Sequence, residues 1–138
     1  MGFLGGLFSK KSSSDPLAAL REKADANPND PKPAQDLANQ LKAQGDVTGA
    51  QIYARQAAKA HRAAGFGQKA LAVLKGAAAW GEPTTELLQD LADLHLELKH
   101  KEDARGTLIQ LRKLHASAGN KSELGRIDAK LQELGPGR

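Results

Sequence analysis

The chain has 138 residues, 40% hydrophobic and 4% aromatic, with 20 Lys and Arg against 16 Asp and Glu for a net charge of +4. That length suits one ordinary domain with a modest core. With no cysteine there is no disulfide framework, no thiolate nucleophile and no Cys-based zinc site, which suits a reducing cytoplasm, and no run reaches the roughly 18 apolar residues of a membrane-crossing helix.

The first stretch, "MGFLGGLFSKKSSSDP", is neither a secretory signal nor a myristoylation signal. Its apolar part is short, its lysines follow that part, and Gly6 stands where Ser or Thr is needed. Written as a helix, Phe3, Leu4, Leu7 and Phe8 fall together with Lys10 and Lys11 just behind, the layout of a short anchor. Its acceptor is either an anionic membrane surface, at the inner face of the cell membrane, or an apolar groove on a helical protein; a leader without a role is the third reading. Gly2, Gly5 and Gly6 keep the segment weak as a free helix, and residues 9–14 read as a flexible linker, so 1–14 is expected to stand apart from a folded domain over 15–138.

From Asp15 onward the pattern is helical throughout. Asp15 can cap a first helix with Pro16 in its first turn, and "NPNDPKP" at 27–33 ends it. Six more helices are expected near 34–44, 48–64, 68–79, 85–99, 102–117 and 121–134, with turns at Gly45-Asp46, Gly65-Phe66-Gly67, Gly81-Glu82-Pro83 and Gly119-Asn120. In the last, Asn120 and Glu123 have the spacing of a capping box, and Leu124, Ile127, Leu131 and Leu134 keep a helical period.

Residues 31–84 laid over 85–138, a shift of 85 − 31 = 54, match without a gap. "QDLA" at 35–38 returns at 89–92, and "HRAAG" at 61–65 returns as "HASAG" at 115–119. Each unit holds three helices, which points to a duplication. Alanines at 38, 50, 57, 58, 70, 77, 92 and 104 let helix axes approach closely, so each helix pair buries a face by stacking on its neighbour.

The stretch "NPNDPKPAQDLANQLKAQGDVTGAQIYARQA" resembles a tetratricopeptide repeat: an NPND connector, Leu37-Ala38, Leu41, Gly45-Asp46 at the turn, Ala50, and Tyr53 with Ala57. Ala58, Ala70, Leu74 and Ala77 fill corresponding positions in 51–84, and Leu91-Ala92, Ala104, Leu108 and Leu111 do so in 85–118, a spacing of about 34 residues. The resemblance covers 15–134. The large aromatic usual early in the first helix of a repeat is missing, and Lys99 replaces a turn glycine. The resemblance implies an all-α, right-handed helical-hairpin solenoid with a concave groove, a non-catalytic adaptor fold. In that family the first helix of each pair lines the groove, which implies Gln35, Asn39, Lys42, Arg55, Lys59 and Arg62 as partner-binding residues. The helix at 48–64 can serve as second of one pair or first of the next, which leaves its inward face open.

Charge is segregated by helix. No acidic residue lies between Asp46 and Glu82, and Arg55, Lys59 and Arg62, spaced i, i+4, i+7, form one basic stripe. Glu86, Asp90, Asp93 and Glu97 form an acidic stripe after Pro83. Either the stripes are solvated or pair with each other across neighbouring helices, or the basic one faces an acidic or carboxylate-ended peptide. The sequence pI of about 9.4 makes a nucleic-acid-binding helical repeat the alternative, opposed by the scarcity of stacking aromatics and by the acidic stripe next door.

No Walker loop, dinucleotide fingerprint or nucleophile elbow is present, so no enzyme and no cofactor are expected. His61 and His115, each four residues before a glycine, read as partners of helix C-terminal carbonyls. His95 and His100 are five apart, the wrong spacing for two ligands on one helical face, so no metal is expected.

Overall fold

A computed structural model describes residues 16–136. Among them the chain forms seven α-helices and no strand: α1 Pro16–Ala26, α2 Pro31–Ala43, α3 Val47–Ala63, α4 Gly67–Ala78, α5 Thr85–Glu97, α6 Lys101–Ala118 and α7 Lys121–Leu134. The fold is all-α, as the periodicity requires. The tail residues Phe3, Leu4, Leu7, Phe8, Lys10 and Lys11, and the Asp15 cap, lie outside the described residues.

Three helices begin on side-chain caps. Asp30 Oδ1 accepts from Lys32 N at 3.1 Å, Asp46 Oδ1 from Gly49 N at 2.9 Å, and Thr84 Oγ1 from Leu87 N at 3.1 Å. The first of these moves the start of α2 from the expected 34 back to Pro31. Asp30 satisfies a free donor, and Pro31 and Pro33 fit the first turn, where their missing N–H groups cost nothing. The capping box expected at Asn120 and Glu123 does not form. Asn120 Nδ2 instead donates to His115 Nδ1 at 3.0 Å, and Glu123 pairs with Arg126.

Four of the corners between helices share one device. The N–H of Asp46, Phe66, His100 and Asn120 bonds to the carbonyl five residues earlier, on Leu41, His61, His95 and His115, at 2.9, 2.8, 2.8 and 3.0 Å. Each reversal needs a left-handed residue just before the donor: Gly45 (φ 87°), Gly65 (87°), Lys99 (66°) and Gly119 (76°). Lys99 thus ends α5 at Glu97, two residues short of the expected 99.

Small side chains bring the helices together. Ala38, Ala54, Ala58, Ala70 and Ala77 pack with Leu74, Leu87 and Leu94, every one at most 2% exposed. Ala24, Ala34, Ala50 and Ala57 do the same with Leu37 nearer the N-terminus. Tyr53, Val73 and Trp80 lie against both groups. Burying each leucine contributes about 1.5–3 kcal/mol relative to exposure. A third group holds Leu88, Ala92, Leu108, Leu111 and Ile127. Ile127 is the one buried residue of α7, with Leu124, Leu131 and Leu134 half-covered.

Helices pack mainly on their chain neighbours, and α3 against α5 is the one non-consecutive pair whose backbones meet among the described residues. Side-chain bonds extend that link along the odd-numbered helices. Gln56 Nε2 donates to Ala24 O at 2.7 Å (α3 to α1), Arg55 and Arg62 bond α5, and Arg126 Nη2 donates to Gln89 Oε1 at 3.1 Å (α7 to α5). No helix among the described residues is long and apolar enough to cross a membrane.

Candidate functional site: a charged seam on helix α3

The side chains at 52, 55, 56, 59, 62 and 63 share one face of α3 by helical spacing. They line an open depression of about 720 Å³, closed by Pro28 and Asn29 from the α1–α2 loop, Leu74 from α4 and Asp90 from α5. Its floor is alanine and leucine, and its edge carries Ile52, 54% exposed despite its size.

Across the seam the two stripes meet. Arg55 Nε donates to Asp90 Oδ2 at 2.6 Å, and Nη2 reaches Asp90 Oδ1 at 3.4 Å, a fork over one carboxylate. One further pair lies two turns on, where Arg62 Nη2 donates to Glu97 Oε1 at 2.9 Å. That bond from Glu97 raises the Arg62 pKa above its ordinary value, against the opposing cost of partial burial and with help from the fields of Glu97, Asp90 and Asp93. Both pairs are partly exposed, so each contributes on the order of 0.2–1 kcal/mol. Asp93 accepts from Gln89 Nε2 at 2.9 Å instead, and Glu86 is exposed. Lys59, between the two arginines, is exposed and makes no ion pair among the described residues.

The six side chains expected in one groove therefore fall in two places. Arg55, Lys59 and Arg62 lie together in the depression. Gln35, Asn39 and Lys42, on α2, do not line it: Gln35 Nε2 donates to Asn39 Oδ1 at 3.3 Å, and Lys42 Nζ sits 5.5 Å from the Trp80 ring centroid. No protein-family model matches the chain, and a comparison with curated proteins finds no match. The residues themselves thus carry the functional argument. Because Arg55 and Arg62 are answered by Asp90 and Glu97, the net charge the seam offers a ligand is that of Lys59.

Sequence reasoning missed Ile52 and Gln56, although both share the helical face of Arg55 and Lys59. It also weighed the two histidines after Leu94 by the spacing of a single helix. His95 and His100 do not share one helix, because Lys99 reverses the chain between them, and the left-handed corner folds His100 back until the ring centroids are 5.8 Å apart. Asp103, in the first turn of α6, joins them. The signal was present: Lys99 stands where Gly45 stands one 54-residue unit earlier, so the helix had to end before it. Burial lowers the His95 pKa, and His100 and Lys75 push the same way against Asp103.

Proposed function

We propose that this protein is a non-catalytic interaction module of tetratricopeptide-like, stacked-hairpin architecture that binds an acidic or carboxylate-ended peptide along α3. The depression carries the reading: an exposed Ile52 beside an alanine floor, with the Lys59 ammonium, outside any ion pair among the described residues, between two arginines already held in place. Such a surface takes one apolar side chain and one carboxylate of an extended segment. The Arg55 and Arg62 pairs supply stiffness rather than free charge. The four matching corners and the links among odd-numbered helices are what a stack of similar hairpins requires, and they support the duplication at 54-residue spacing. Gln35, Asn39 and Lys42 lie outside this binding surface.

The test is fluorescence anisotropy with short labelled acidic peptides, each with a free and an amidated C-terminus, against wild type, Ile52→Ser and Lys59→Glu. The free-carboxylate peptides bind best, more weakly as salt rises, and Lys59→Glu weakens them by about tenfold, a shift of about 1.4 kcal/mol. Equal binding by all three proteins ends the reading. Tight binding of single-stranded oligonucleotides in place of peptides moves it to nucleic acid.

A further inference from the structure

We propose that His95, His100 and Asp103 form a three-ligand site for a divalent ion of the zinc class, tying the end of α5 to the start of α6. One donor atom from each of the three lies within 4.8 Å of the others. His95 is 4% exposed and its Nδ1 is buried with no hydrogen-bond partner among the described residues, a costly polar atom left unsatisfied beside the cluster. The other two are equally uncommitted. His100 occupies the position before α6 without making a capping bond, and Asp103 is exposed and outside any ion pair among the described residues, its neighbour Glu102 being the one that meets Arg105.

The donor set selects the ion. Two imidazoles and one carboxylate suit zinc, nickel or copper, whereas calcium and magnesium require mostly oxygen. A tetrahedral zinc with bonds of about 2.0–2.2 Å puts its donors about 3.3 Å apart, so the cluster has to close by no more than about 1.5 Å. Asp103 is exposed and His100 half-buried, and rotation of those two side chains supplies the closure while His95 stays in the core. The fourth position is left to water. Lys75, whose field reaches His95, and the flanking Lys99 and Lys101 oppose a cation, which sets the affinity below that of a closed four-ligand site.

The experiment titrates Zn²⁺, and Mg²⁺ as control, into the full untagged chain by isothermal calorimetry, with thermal melts and histidine ring NMR on the same samples. The expected result is one Zn²⁺ per chain, a melting temperature raised by Zn²⁺ and not by Mg²⁺, and ring shifts at His95 and His100 but not at His61 or His115. His100→Ala and Asp103→Asn each weaken binding at least tenfold and abolish the thermal shift. Asp103→Asn keeps the side-chain volume at an exposed position, so it decides the matter if His100→Ala unfolds. No zinc binding, binding unaltered by Asp103→Asn, or shifts confined to His61 and His115 would overturn the site.

Discussion

The corners at 61–67 and 95–101 have the same backbone and different chemistry. In both, a left-handed residue turns the chain and the next N–H bonds a histidine carbonyl at 2.8 Å. At the first the left-handed residue is Gly65, followed by an exposed Phe66 with Lys69 Nζ 4.8 Å from its ring centroid. At the second it is Lys99, followed by His100, which comes to rest near a buried His95. An L-residue in that conformation costs on the order of 1–2 kcal/mol, so the second corner stores strain that the first avoids. The position in the fold dictates the conformation whatever residue occupies it. The two corners also touch, since a Cβ on Gly67 would meet Leu98 Cδ2 at 3.0 Å and Leu94 Cδ1 at 4.0 Å.

The most damaging way to break this comparison is Leu94→Ala. Leu94 is 0% exposed and lies between the start of α4 and the end of α5, so the cavity loosens both corners together. We expect a loss of about 2–5 kcal/mol in urea unfolding. A loss under about 1 kcal/mol would show that the corners are held independently.

Exchanging the turn residues sharpens it. Among the described residues no atom beyond its chain neighbours lies within 4 Å of where a Gly65 side chain would start, so Gly65→Lys tests backbone strain and should cost about 1–2 kcal/mol. Lys99→Gly should stabilise by up to about 1 kcal/mol, the relieved strain being partly offset by the greater freedom of glycine in the unfolded chain. If Lys99→Gly destabilises instead, contacts of the lysine outweigh its strain.

The smallest effect lies away from both corners and serves as the reference for them. Arg112 Nε donates to Asp128 Oδ1 at 2.6 Å, and that bond holds the Asp128 carboxyl below its ordinary pKa. A depressed folded value gives stability that is complete above the unfolded pKa, about 3.9, and is lost as pH falls through the folded one. Protection of the α7 amides, corrected for the intrinsic pH dependence of exchange, should therefore fall below pH 4, and Asp128→Asn should reduce that fall to the share of Glu123, whose carboxyl Arg126 also holds low, while protection at both corners is unchanged.

Helices and turns were legible because their signals are local. Glycine at 45, 65 and 119 marks three of the left-handed corners directly, and the spacing of alanine and leucine gives each helix its covered face. Proline is ambiguous at the start of α2, where Pro31 and Pro33 read as a stop by sequence although Asp30 supplies the cap that makes them a start. Asn120 departs from its capping-box spacing because its amide has a nearer use on His115 than on the backbone of α7. The seam stayed undecided for a different reason: helical period shows that Arg55 and Arg62 share a face, and only the packing of α3 on α5 shows what that face meets. A hint existed, since Asp90 and Glu97 each lie 35 residues beyond their arginine. The same holds for Asp103, whose nearness to His95 exists only after the chain has turned at Lys99.

Packing of each helix on the one before and after it also shapes how the chain finds this structure. Contacts between neighbours in sequence close short loops, which cost little entropy, and chains dominated by such contacts fold in microseconds to milliseconds. Fraying then begins at the ends. With Ile127 its one buried side chain, α7 has the least to lose by detaching, and its amides should open to solvent at a free energy well below that of the alanine-packed middle.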